Sequence, residues 1–452
     1  MDFGQYQINK NIISFRQKTI CFSRWNIAFM LITFLLLFLG MRFFAMFAVF
    51  AFVLNIFIFL FLPTELIFCD LFFLLSLASI YKYSPGSTSF FTLIEIYAIV
   101  LIAFREKKFD LKFLISLSIF ICYILLICLI NLTFDFANFI KQIMNIIILY
   151  FFVRTVDKAV YKSIILYYVF GVVAASIIGL FSKYIPNFYE YIQFVNGMVD
   201  GVDHTRFTGL SGDPNYYSVN LILSFSGIIL LNYRNELKFS FWLLFACLTI
   251  FGLLTLSKSF ILMYFFVCIM LIYACVKKRK FFVPIIFCIA FIIILTLGIW
   301  GVIPIVNSIV ERLTSFDDFN SLTTGRFNLW KMYLNYFDVN INTFILGNGI
   351  LVRWLNDKAA HNTYIDFLYY LGLVGTILNL ICWKVCFLAC EEKRKLKLLN
   401  LCGITIIIIM YFFLSMFFAY DLIFHVMIAW IYFKMDLSYS KKQCDLSKTS
   451  VF

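Results

Sequence analysis

Ala360–Gly375, AHNTYIDFLYYLGLVG, is where the chain passes from a polar segment into an apolar helix, and the passage falls at a His-Asn pair. The apolar run continues to about residue 388, and it is one of many. Across 452 residues 63% are hydrophobic, 59 are Phe and only 13% are charged, a balance that no soluble globular domain of this size shows. Repeated apolar runs of about 15–23 residues are long enough to cross a hydrocarbon core as helices. They do not alternate apolar with polar at period two, so a β-barrel is excluded. The expected class is an all-α polytopic membrane protein.

Along the chain the apolar runs fall at 25–40, 43–62, 66–81, 88–104, 113–130, 136–153, 163–182, 214–232, 239–256, 259–276, 281–302, 362–388, 398–418 and 421–433. These predict about fourteen transmembrane helices in a single membrane domain spanning 1–452. Asp70 and Lys141 interrupt two of them. The net charge of +13 reads as topology rather than as a nucleic-acid surface. With the N-terminus in the cytoplasm, about 25 of the 37 Lys and Arg fall inside, the asymmetry of the positive-inside rule. Both termini are then cytoplasmic. The two longest polar segments, 183–213 and 303–361, share the opposite face, and long structured segments between tight connections are where function concentrates. The larger is expected to be partly helical. No cleavable signal peptide is expected in the polar, basic Met1–Arg24. The 13 cysteines lie mainly inside apolar runs as small core residues. Cys382, Cys386 and Cys390 share a helix face, with no histidine nearby to complete a metal site.

The two outer segments hold the residues able to do chemistry. In DHTRFTGLSGDPNYYSVN, Asp213-Pro214 reads as an N-cap followed by proline at the first helical position, with Asn215 next. Arg206 lies just before it, near the membrane surface, and Gly209 and Gly212 let backbone N–H groups approach an anion. The alternative for Arg206 is contact with lipid headgroups. His204 reads as a solvated loop residue. In SLTTGRFNLWKMYLNYF, Thr323 or Thr324 caps a helix with the apolar stripe Leu329, Trp330, Tyr333, Leu334 and Phe337. Arg326 shares that face, so its guanidinium at a helix N-terminus suits phosphate, or else pairs with a loop acid such as Asp317 or Asp318.

The turn in FILGNGILVRW places Arg353 beyond Gly349, either at an anion site or in solvent. Lys331 reads as solvated. Lys258, between two apolar runs, either snorkels to the headgroups or adds a third cation. A neutral His361 suits the removal of a hydroxyl proton, and Asn362 suits orienting its ring or a substrate; the plainer reading is a histidine at a helix start. Gly372 and Gly375 permit close helix packing. His425, inside the last apolar run, reads as a satisfied core histidine.

Together these pieces resemble the O-antigen polymerase and O-antigen ligase superfamily, membrane glycosyltransferases that use undecaprenyl-pyrophosphate-linked sugars. The resemblance runs from about Arg206 to Gly375: RFTGLSGDPNYYS, TLSKS, TTGRFNLWKMYLNYF with ILGNGI, then HNTYIDFLYYLGLVG. His-Asn, nine residues and then G-x-x-G is its most specific part. Residues 1–180 and 380–452 match only in general character. Lys258 stands where the family often has arginine, and Tyr370 where an acid is common, two residues before the glycine.

The resemblance implies inverting transfer of a lipid-linked glycan to an acceptor hydroxyl, without metal or other cofactor, at the periplasmic face of the bacterial inner membrane. The outer segments carry no D-x-D triplet. His361 is then expected to take the acceptor proton, and Arg326 and Arg206 to stabilise charge growing on the pyrophosphate. Arg353, Asn362, Lys258, Asn215 and Trp330 are expected to contact substrate. The expected partners are the lipid-linked oligosaccharide, membrane lipid and a chain-length regulator, with no nucleic acid. High Phe content and low charge incline toward a Wzy-type polymerase. A ligase acting on lipid A-core uses the same chemistry, and a flippase for lipid-linked glycans also wants outer-face arginines but no base.

Overall fold

The computed structural model describes residues 25–84, 87–106, 109–185, 188–192, 198–199, 202–203, 206–235, 237, 239–279, 323, 325–352, 354–388, 397–435 and 437. It is helical throughout, apart from an antiparallel pair of two-residue strands, Met198–Val199 and Val202–Asp203. Seven helices among the described residues are long and apolar enough to cross a membrane, and Met46–Phe61, Ser240–Leu254 and Leu398–Tyr411 are shorter apolar ones. The run at 281–302 lies outside the described residues. Outward-facing Phe43, Phe44, Phe57, Phe61, Leu129 and Ile130 are each at least half exposed, a surface that suits hydrocarbon and not water. This is a helical membrane protein.

Pro214–Tyr233 is the central helix: it packs against the helices Tyr161–Leu180, Phe239–Leu254, Lys258–Lys277, Cys402–Tyr411 and Asp421–Lys434. Its two ends sort the connections. At Tyr233, Lys278 and Lys397 both sit over the ring, 4.9 and 5.5 Å from its centroid, so three basic connections meet there. At the opposite end, Tyr216 Oη donates to Ser415 O at 2.6 Å, and Phe207 N donates to Leu254 O at 3.1 Å. The described parts of the two long polar segments therefore converge where the central helix begins.

Of the two charges that interrupt apolar runs, Asp70 is buried and Lys141 half-buried, and both have partners. Asp70, in the helix Thr64–Leu75, accepts from Asn26 Nδ2 at 2.6 Å. Lys141, in Phe136–Thr155, donates from Nζ to Phe418 O, lies 5.7 Å from the Tyr420 ring centroid and is within electrostatic reach of Glu95 and Asp421. Beside it, Gln142 donates to Phe417 O at 3.1 Å. Polar side chains of one helix thus pin the turn Leu414–Tyr420 that follows another. Removing one member of a buried ionic set costs about 3–5 kcal/mol, because the others remain buried and uncompensated. Lys141→Met is accordingly expected to lower the thermal unfolding midpoint of the purified protein in detergent. An unchanged midpoint would mean that Glu95 and Asp421 are satisfied without it.

The helix Thr363–Leu388 is broken at Gly372, whose φ of +66° lies in the left-handed region. The break leaves carbonyls without helical donors, and the Gly347–Gly349 turn supplies them: Asn348 N donates to Tyr369 O and Gly349 N to Tyr370 O, each at 2.9 Å. A side chain at Gly347 would strike the backbone of Tyr370–Gly372, and one at Gly372 the backbone of Ile345–Gly347. Gly372 is therefore the seat of a backbone-to-backbone lock, a larger role than the helix packing expected of it. Gly375 does fill the packing role, against the ring of Tyr123. The GNG turn is likewise committed to this lock. Cys382 and Cys386 are buried, with Cys382 Sγ donating to Ser116 O at 3.4 Å, and Cys390 lies outside the described residues.

Candidate active site

Four helices begin at the end of the bundle where the central helix starts, and their first residues build the site. Asp213 caps the central helix, its carboxylate accepting from Asn215 N at 2.6 Å and Tyr216 N at 3.3 Å, as the Asp-Pro pair predicts. Ser257 caps Lys258–Lys277 by accepting from Phe260 N. Gly325, at a φ of +80°, turns the chain into Arg326–Val339, where Thr323 Oγ1 accepts from Phe327 N at 3.3 Å. Asn362 Oδ1 accepts from Tyr364 N and Ile365 N at 3.0 and 3.2 Å, at the start of Thr363–Leu388. Each helix start carries roughly half a positive charge.

A cavity of about 230 Å³ opens among these starts, lined by Arg206, Asn215, Lys258, Ser259, Arg326 and His361, with Leu329. Among the described residues three cations line it and no acid does. Arg206 is half-buried, its Nε donating to Thr255 O at 3.1 Å and its Nη2 to Asn215 Oδ1 at 3.4 Å, so it is built into the wall rather than left at the headgroups. Asn215 Oδ1 also accepts from Ser257 Oγ at 2.7 Å. Among the described residues the Arg326 guanidinium has neither an ion pair nor a hydrogen-bond partner, and Asp213 acts on it only through its field. A guanidinium that is largely desolvated and lacks an acceptor is poised to take one from a ligand. Asp317 and Asp318, its alternative partners, lie outside the described residues.

His361 is held from both sides in a strained conformation. Trp330 Nε1 donates to Ala360 O at 3.1 Å, Asn362 is fixed by its capping bonds, and His361 between them has a φ of +48°. Such backbone costs on the order of 1–3 kcal/mol outside glycine and persists where the surroundings over-determine it. Among the described residues no side chain or carbonyl bonds the imidazole. Burial holds it below the ordinary histidine value, the charge of Arg326 pushes the same way, and Asp213 opposes both. The ring is therefore neutral at pH 7, with a nitrogen lone pair available.

A second cavity of about 520 Å³ shares His361 and Leu329 with the first. Its remaining walls come from Tyr216, Asp366, Tyr370, Ser415 and Phe418 on one side, and from Trp354, Asp357 and Lys358 on the other.

Arg206, Arg326, His361, Lys258 and Asn215 thus come together as one wall. Asn362 and Trp330 line neither of these two cavities; they hold the backbone that presents His361. Arg353 and His204 lie outside the described residues. In the Arg326 helix Trp330, Tyr333 and Phe337 are buried while Leu334 is 53% exposed, so the apolar stripe is narrower than the sequence suggests. Gly209 and Gly212 line neither cavity, and Gly209 packs against the Tyr217 ring. His425 is a core residue: its Nε2 lies 2.8 Å from Asn220 Oδ1 and its Nδ1 3.1 Å from Tyr411 Oη. Asp366 is the residue that sequence reasoning missed. The available signal was an acid one turn inside an apolar run, which is expensive unless it serves a purpose.

No family model matches this chain, and neither the curated proteins nor the solved structures compared with it contain a match.

Proposed function

We propose that this protein is a Wzy-type O-antigen polymerase, moving a growing glycan from its undecaprenyl-pyrophosphate carrier onto the end sugar of a new lipid-linked repeat unit. The proposed setting is the bacterial inner membrane, with about fourteen spans, both termini in the cytoplasm and the site at the periplasmic face. One observation carries the reading: among the described residues, three cations and no acid line a cavity that also presents a neutral histidine with no bond to its ring. A sugar pyrophosphate is already a good leaving group, so the enzyme must mainly align the acceptor and stabilise the departing charge.

In this mechanism Arg326, Arg206 and Lys258 hold the pyrophosphate, aided by the helix starts around them. His361 takes the proton of the acceptor hydroxyl as its oxygen bonds to the anomeric carbon. The bond from that carbon to the pyrophosphate oxygen breaks, and its electron pair leaves with the carrier lipid. Inversion without metal is what the family resemblance implies.

Purified protein given lipid-linked repeat units alone is expected to make lengthened chains, read by gel electrophoresis. Product formed only when lipid A-core is added would replace the polymerase by a ligase of the same chemistry. Movement of the lipid across vesicles with no new glycosidic bond would replace both by a flippase.

A further inference from the structure

The two cavities meeting at His361 have opposite chemical character. The smaller presents Arg206, Lys258 and Arg326. The larger presents the carboxyl groups of Asp366 and Asp357 against one lysine, Lys358, with Tyr216, Tyr370 and Trp354 beside them. A phosphate entering the larger cavity would meet two acids, and the cationic chamber next door outcompetes it for that ligand. A neutral polyhydroxyl ring suits the larger cavity: carboxyl oxygens accept from adjacent hydroxyls, and aromatic faces cover the C–H surface. Its volume, about 520 Å³, lies within the usual range of small-ligand sites.

Asp366 stands apart from the other acid. It is only 5% exposed, on the first turn of Thr363–Leu388, whereas Asp357 is in an exposed turn. Tyr370 is one turn further along the same face and stacks on Phe417, with ring centroids 5.2 Å apart. The facing wall is fixed by the bond from Tyr216 Oη to Ser415 O and by Lys141 on Phe418 O. A buried carboxyl on a rigid helix, in an open cavity and next to the histidine, is placed to orient a hydroxyl and not to serve the core.

Resting on the transferase reading above, we propose that the larger cavity is the acceptor subsite. It takes a neutral sugar with adjacent free hydroxyls, and Asp366 accepts from that sugar and turns the attacking hydroxyl toward His361. The hydroxyl proton passes to the imidazole across the wall that the two cavities share.

The test uses the full chain in lipid nanodiscs, with neutral methyl glycosides of glucose, galactose, mannose, rhamnose and N-acetylglucosamine as sugar probes. Saturation-transfer NMR reads sugar binding, and calorimetry reads inorganic pyrophosphate. At least one glycoside is expected to bind. Asp366→Ala should weaken it about tenfold, as loss of one hydrogen bond does, and Asp366→Asn, which keeps an acceptor oxygen, should weaken it less. Arg326→Gln should leave sugar binding intact and weaken pyrophosphate instead, while Asp366→Ala leaves pyrophosphate binding intact. Asp366→Asn also serves as the test should the alanine variant fail to fold. Absence of binding by every glycoside, sugar binding indifferent to both Asp366 variants, or sugar binding lost with Arg326→Gln would each overturn the subsite. Pyrophosphate binding without sugar binding would do so while sparing the transferase reading. The expected sugar pattern without pyrophosphate binding would uphold the subsite and remove that reading.

Discussion

His361→Ala is expected to abolish chain extension, lowering the rate by about 10²–10⁴-fold, the usual worth of a positioned general base. Binding of the lipid-linked donor should survive, because Arg206, Lys258 and Arg326 remain in place. The assay is extension of lipid-linked repeats by the purified protein, with donor binding measured separately. Undiminished extension would end the role assigned to the imidazole, and loss of both functions together would make His361 a structural residue. The pH dependence has a definite sign. A histidine held below its ordinary value is neutral at pH 7, so activity should fall only as pH drops through a point below about 6.5. Because the Arg326 charge contributes to that lowering, Arg326→Gln should move the histidine's titration upward. Only three histidines are present, so isotope-labelled histidine NMR can follow His361 directly.

Arg326→Lys is expected to cost about 10²-fold or more in extension, comparable with removing one donor aimed at developing charge. Lysine keeps the charge but presents a point donor where a planar fork makes two parallel bonds to phosphate oxygens. No carboxylate or carbonyl among the described residues engages this guanidinium, so the variant breaks no bond to any of them and is expected to remain folded. Full activity in Arg326→Lys would make the residue a supplier of field alone. A poorly folded Arg326→Lys protein, detected by gel filtration, would show instead that it serves structure.

Much of the site was legible in the sequence because helix starts have strong local signatures. Asp213-Pro214 marks the start of the central helix, and a threonine before Arg326 marks another, each through short-range hydrogen bonding. The roles of Trp330 and Asn362 were not legible. An indole on a polar segment and an amide beside a histidine look like substrate contacts, and only the tertiary structure shows the bond to Ala360 O and the capping bonds that they make. The GNG turn was read as weak evidence of an anion site, and it is half of the lock that closes on Gly372.

Composition and the spacing of apolar runs by themselves determine a helical membrane protein, because burial in hydrocarbon demands long runs with satisfied backbones. Local chemistry also determines where the helices at the site begin. Which starts share a cavity depends on contacts between residues far apart in the chain, such as Arg206 with Thr255 and Lys141 with Phe418, and periodicity carries no information about those. Tertiary structure alone decided that His361 stands between two cavities of opposite character. It also brought Asp366, a residue inconspicuous in the sequence, to the second of them.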